Sequence, residues 1–176
     1  MFKEERDEPL FSWDMIGDIA EGRPNLGNLM DVSVYRLMQF TLREILINNF
    51  NVETAEKLFY QAGELAGKEF CKNLLNKDAE FNDFIIELQE WLAKLKVGIL
   101  HVEKADLETM NITLTVAEDL DCSGLPASDE TICTYDEGFI KGILLEYTGK
   151  EFKVNEVDCW CSGDRVCRFK ATLANG

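Results

Sequence analysis

The sequence predicts an α+β domain in which an antiparallel sheet packs against several helices. Three observations carry that expectation. Apolar residues recur at helical spacing in three successive segments of the first half, and the period falls to two beyond Lys96. The chain then closes with two more alternating runs, separated from the first pair by one helical segment. A chain of 176 residues buries one substantial core, so a single domain is expected over 29–176, preceded by an irregular lead-in over 1–28.

Taken in order, the lead-in contains Pro9, Pro24, Gly17, Gly22 and Gly27, with a short element around Trp13 to Ala20. Asp31 is placed to cap an amphipathic helix that runs to about Asn49, its apolar stripe being Val34, Leu37, Met38, Leu42, Ile45 and Leu46. A second helix starts at Asn51 and carries Ala55, Leu58, Phe59, Ala62, Ala66 and Phe70 on one face. Gly63 and Gly67 lie beside that stripe and let a neighbouring helix come close. A third helix runs from about Asp78 to Lys96, with Phe81, Ile85, Leu88, Leu92 and Leu95 inward and Glu87, Glu90 and Lys94 outward.

Val97, Ile99 and His101 then alternate with Gly98, Leu100 and Val102. After a turn near Asp106, Met110, Ile112, Leu114 and Val116 alternate with Asn111, Thr113 and Thr115, which predicts a β-hairpin. Asp119 to Glu130, with Gly124 and Pro126, reads as a loop. A fourth helix from about Tyr135 to Thr148 carries Phe139, Ile140, Ile143, Leu144 and Tyr147 and stops at Gly149. Strands over Phe152 to Cys159 and Arg165 to Leu173 complete the expected fold.

Asp and Glu number 33 against 18 Lys and Arg, a formal charge of -15 spread along the chain. That balance argues against nucleic acid and against an anionic membrane surface as partners, and reads as a solvating exterior. The charged start, Met1 to Asp7, lacks the apolar stretch of a signal peptide. No segment reaches the roughly 18 uninterrupted apolar residues of a membrane span, so a cytoplasmic location is expected. In that reducing setting the six cysteines are expected to be reduced, buried or metal-bound.

Four of those cysteines, Cys133, Cys159, Cys161 and Cys167, crowd the C-terminal end. Cys159 and Cys167 flank the tip of the last hairpin, Glu156 lies three residues before Cys159, and Cys133 before the fourth helix is a long-range partner. Thiolates and a carboxylate gathered in this way suit a tetrahedral zinc ion. Four protein ligands close its sphere and leave no position for a substrate, the pattern of a structural site. Three thiolates and one carboxylate leave about two excess negative charges, which Arg165, Arg168 and Lys170 are near enough in sequence to offset. Cys161 can replace Cys159, Cys122 in the preceding loop is another candidate, and the same cysteines can serve as small hydrophobes of a hairpin core. Cys71 is assigned no role.

Several segments together resemble the 4-vinyl reductase (4VR) domain family. They are Gly22 to Gly27, Tyr60 to Gly67, Cys133 with Gly138 to Gly142, and above all Glu156-x-x-Cys159-x-x-x-Gly163-x-x-x-Cys167-x-Phe169. That family occurs in a bacteriochlorophyll-biosynthesis protein and in sensor domains of aromatic-responsive transcription activators. In its phenol-sensing members, zinc is held by a Cys before the helix and by a Glu, a Cys and a Cys of the terminal hairpin. The resemblance therefore implies Cys133, Glu156, Cys159 and Cys167 as ligands and puts Cys161 and Cys122 second. It also implies the fold of haem-NO-binding sensors and of subunits of a vesicle-tethering complex (the Golgi-transport ligand-binding fold), and a homodimer. The sequence holds no ATPase or DNA-binding region, so the output of a sensor is expected to pass to a partner.

The expected function is a zinc-stabilised sensor or carrier domain for an apolar or aromatic small molecule, with 11 Phe, 5 Met and 3 Trp available to line a pocket. Tyr60, Trp91 and His101 are the candidate lining residues. An accessory role in tetrapyrrole vinyl reduction, and a dimeric interaction module without a small ligand, are the alternatives. Catalysis by the chain itself is disfavoured, because it shows no Gly-rich dinucleotide loop, no iron-sulfur cysteine spacing and no titratable partner for His101.

Overall fold

The computed structural model describes residues 11–174, in two compact units, one ending at Met30 and the other starting at Asp31. The expectations for Met1 to Asp7 and for Pro9 lie outside the described residues. In the first unit Trp13–Ile16 form a 3-10 turn and Ile19–Gly22 a single-turn helix, α1. Asp18 caps α1 by accepting the Glu21 N–H at 2.9 Å.

The second unit begins with three helices, α2 (Val32–Asn49), α3 (Val52–Leu74) and α4 (Phe81–Lys94). Local capping sets two of these starts. Asp31 accepts the Ser33 N–H at 2.8 Å, and Asn51 accepts that of Thr54 at 2.7 Å, satisfying donors the helices cannot. There follow β1 (Ile99–Asp106), β2 (Asn111–Ala117), α5 (Thr134–Thr148), β3 (Phe152–Asp158) and β4 (Cys167–Leu173). The four strands form one antiparallel sheet in the order β1-β2-β4-β3. Mixed helices with an antiparallel sheet are the architecture the sequence predicts.

Alternation along the strands buries Ile112, Leu114, Val116, Phe152, Val154, Cys167, Phe169 and Ala171. Leu114 lies opposite Phe169 and Val116 opposite Cys167, which brings one thiol to the core side of the sheet. In α4 the buried residues are Phe84, Leu88 and Leu92, whereas Leu95, predicted inward, is exposed.

α3 and α5 pack backbone to backbone. A Cβ on Gly63 would stand 2.0 Å from the Tyr135 carbonyl oxygen, and one on Gly67 2.1 Å from that of Phe139. Reciprocally, a Cβ on Gly138 would stand 2.0 Å from the Tyr60 oxygen, and one on Gly142 2.2 Å from that of Glu64. Two glycines on each helix thus form a seam that no larger residue fits, completing the close approach read from Gly63 and Gly67.

α2 is oriented against its own pattern. Val34, Leu37, Met38, Leu42 and Ile45 are between 49% and 68% exposed, while Gln39 is buried. The side of α2 that meets the rest of its unit is polar. Tyr35 donates its hydroxyl to Asp121 at 2.7 Å and Gln39 its amide at 2.8 Å. Arg36 donates to the carbonyl oxygens of Leu120 at 2.8 Å and Ser123 at 2.9 Å. Buried carboxylate and carbonyl groups of the loop after β2 need donors, so the polar side of α2 covers them and the apolar stripe is left outward.

Candidate functional site

Three segments bring thiols to one point. Asp119 accepts the N–H groups of Asp121 at 2.8 Å and Cys122 at 3.2 Å, a turn that carries Cys122 inward. Cys133 is the residue just before α5, Cys159 the residue just after β3, and Cys167 opens β4. All four are fully buried and reduced. Their sulfurs lie within 4.8 Å of one another. The separations are 3.0 Å for Cys122 and Cys167, 3.7 Å for Cys133 and Cys167, and 3.9 Å for Cys133 and Cys159. Sulfurs bound at zinc–thiolate length to the corners of a tetrahedron stand about 3.8 Å apart, so this cluster can hold a metal ion.

The support around the cluster is specific. Ser162 Oγ accepts the Cys159 N–H at 3.0 Å and donates to the Cys159 carbonyl at 2.9 Å. Gly163, at φ 102°, turns the chain where a side chain is disfavoured. The Ser128 N–H donates to the Cys161 carbonyl at 2.6 Å, and Trp160 Nε1 to that of Leu125 at 3.2 Å, which ties the loop bearing Cys122 to the hairpin tip.

Of the ligands read from the sequence, Cys133, Cys159 and Cys167 come together, and Cys122 stands at the fourth corner. Glu156 lies outside that foursome. Its Oε2 accepts the Cys133 N–H at 3.1 Å, and its Oε1 is buried with no hydrogen-bond partner among the described residues. Cys161 is buried outside the group. The cations proposed to offset the charge are elsewhere: Arg168 pairs with Glu103 at 2.9 Å and with Asp158, while Arg165 and Lys170 are exposed.

Electrostatics follow from this crowding. Hydrogen bonds from the Cys122, Cys133 and Cys167 thiols hold Cys159 far below the usual thiol range. Contacts with Cys122, Cys159 and Cys167, followed by burial, push Cys133 far up. Burial raises Glu156 to about 8 and Asp119 to about 7, and burial together with the charges of Asp119 and Asp121 raises Asp136 well above the carboxylate range. The corner is short of positive charge, which a divalent ion supplies.

Beside the cluster the core is not filled. A cavity of about 40 Å³ lies between α4 (Phe84, Leu88, Leu92), the sheet (Leu100, Ile112, Leu114, Val116) and α5 (Ile140, Ile143, Leu144), with Asp119 and Asp136 as its polar lining. An adjoining cleft of about 200 Å³ is bounded by Tyr35, Phe70, Leu95, Leu120, Asp121 and Tyr135. Val97, Asp136 and Phe139 line both spaces. Cavities of roughly 150 Å³ accept a benzene ring, so the cleft has the size for one. Asp136 Oδ2 is buried there without a hydrogen-bond partner among the described residues.

Tyr60, Trp91 and His101 line neither space. The Lys141 ammonium lies 5.8 Å from the Tyr60 ring centre, Lys94 lies 4.0 Å over Trp91, and His101 is exposed on β1. Sequence reasoning missed Asp136, although a signal was present. It precedes Phe139 and Ile140 by three and four residues, which sets it on the apolar stripe of α5.

Residues 112–173 match the model of the 4-vinyl reductase (4VR) domain family. An uncharacterized protein of Methanocaldococcus jannaschii is 29% identical over 152 residues, covering 85% of this chain and 82% of its own length. The phenol-responsive sensory domain of the transcription activator PoxR, solved with phenol, is similar with a TM-score of 0.65 and 16% identity over 83% of this chain and 76% of that one. A vinyl-4-reductase family protein of Methanocaldococcus jannaschii gives 0.62 and 19% over 95% and 99%. Trafficking protein particle complex subunit 3 of Naegleria fowleri, covalently bound to palmitic acid, gives 0.62 and 13% over 81% and 94%. The structural matches show a shared fold. With the family-model match they bear out the resemblance carried by the Glu156 to Phe169 pattern.

Proposed function

With residues 112–173 matching the 4VR domain, we propose that this protein is a zinc-stabilised sensor or carrier domain for a small apolar or aromatic molecule. The observation that carries the reading is the void between α4, α5 and the sheet, continuous through Val97, Asp136 and Phe139 with the adjoining cleft. Protein cores ordinarily close to crystal-like density, so apolar space of this size beside a buried unpaired oxygen suits an occupant. The phenol held by the PoxR sensory domain supports an aromatic one. A planar tetrapyrrole far exceeds the cleft, which favours a small ligand over the presentation of a tetrapyrrole to a reductase.

Cys122, Cys133, Cys159 and Cys167 would hold the zinc, whose contribution is to neutralise the thiolates and cross-link the loop, α5 and the terminal hairpin. Glu156 keeps the Cys133 backbone in place through its N–H. Asp119 and Asp136, within 4.8 Å of the Cys133 sulfur, join the cluster to the cavity they line. A reducing compartment such as the cytoplasm would keep all six cysteines as thiols. No helix of the described residues is long and apolar enough to cross a membrane.

The outward stripe of α2 supports a homodimer. Five apolar residues along one helix form a self-complementary surface about a two-fold axis, and a second copy would bury them. Elemental analysis with native mass spectrometry tests the whole reading. One zinc per chain, a mass of two chains and uptake of added phenol are expected. A protein without metal that takes up no phenol contradicts it.

A further inference from the structure

We propose, resting on the ligand-binding reading above, that the cavity selects an apolar molecule bearing a protonated amine, received by Asp136 Oδ2. Three carboxyl groups meet at this end of the cavity and cleft, and only one is free to receive a ligand. Asp121 is engaged by Tyr35 at 2.7 Å and Gln39 at 2.8 Å. Asp119 Oδ1 is engaged by the Asp121 and Cys122 N–H groups. Asp136 Oδ2 is buried without a partner among the described residues, and Asp136 lines both spaces.

The surroundings decide which donor fits. Away from this end the cavity wall is hydrocarbon, so a donor must arrive with the ligand. No described lysine or arginine forms an ion pair with Asp119, Asp121 or Asp136. The nearby cations are engaged elsewhere: Arg36 with the Leu120 and Ser123 carbonyls, and Arg43 with Glu56 and the Ile132 carbonyl. A divalent ion among four thiolates would leave that cluster with about two negative charges, so it does not compensate the carboxylates. A cationic donor therefore gains over a neutral hydroxyl of the same size, because its hydrogen bond is charge-assisted in a site already lacking positive charge. One ring and a short amine arm match the cleft of about 200 Å³.

Titration calorimetry of the zinc-loaded full chain with benzylamine, benzyl alcohol and toluene tests this, because the three probes share a ring and differ at one end. Benzylamine is expected to bind about tenfold or more tightly than the other two. Asp136→Asn should abolish that advantage while leaving toluene affinity and zinc content unchanged. If the alcohol or toluene binds as tightly as the amine, or if D136N keeps the amine preference, the amine proposal is overturned and the ligand-binding reading stands. If none of the three binds, both fall. Should D136N lose zinc, the ranking on the unaltered protein decides alone.

Discussion

The two sides of α5 are packed in opposite ways. Toward α3, Gly138 and Gly142 meet Gly63 and Gly67 with the backbones so close that a single methyl has no room. Toward α4 and the sheet, Asp136, Phe139, Ile140, Ile143 and Leu144 border open space. A helix free to shift would close such a void, since every unfilled contact forfeits dispersion energy. The glycine seam, together with Cys133 at the head of α5, removes that freedom. The cavity thus belongs to a rigid frame, and its walls are held by contacts made on the far side of the helix.

The largest disruption comes from releasing the head of α5. Cys133→Ser is expected to abolish stoichiometric zinc and destabilise the fold by on the order of 5 kcal/mol, read together as metal content and thermal unfolding. Gly67→Ala attacks the closed side. A methyl 2.1 Å from the Phe139 carbonyl oxygen must displace backbone, and chemical denaturation should register a loss of about 3 kcal/mol with zinc still bound. On the open side a larger residue has room: Val97→Phe should change stability by less than about 1.5 kcal/mol while blocking phenol uptake in a calorimetric titration. Equal costs for the seam and cavity substitutions would remove the contrast between the two sides. The smallest effect on stability, within about 0.5 kcal/mol, is expected for Leu37→Glu on the outward stripe of α2, where sedimentation should instead report monomers.

Local signals made the element order legible. Asp31 and Asn51 cap where their side chains predict, and Gly149 ends α5 in the left-handed region at φ 69°. Strand alternation placed Ile112, Leu114 and Val116 inside. What escaped the sequence depends on which surfaces meet. The stripe of α2 shows that Val34, Leu37 and Met38 share a face, but periodicity does not say what covers it, and the buried donor Gln39 was hidden among polar residues. Cys122 ranked behind Glu156 because spacing along the hairpin is visible, whereas the Asp119 turn brings Cys122 to Cys167 across 45 residues. Gly138 and Gly142 were read as part of a family pattern. Their role in the seam appears only once α3 lies against them.

Zinc K-edge X-ray absorption on the metal-loaded protein tests the four-thiol corner most directly. The account predicts four sulfur neighbours at about 2.3 Å, with one sulfur lost in Cys122→Ser. Three sulfurs with one oxygen at about 2.0 Å in the unaltered protein, unchanged by that substitution, would put Glu156 in the sphere and contradict the place given to Cys122.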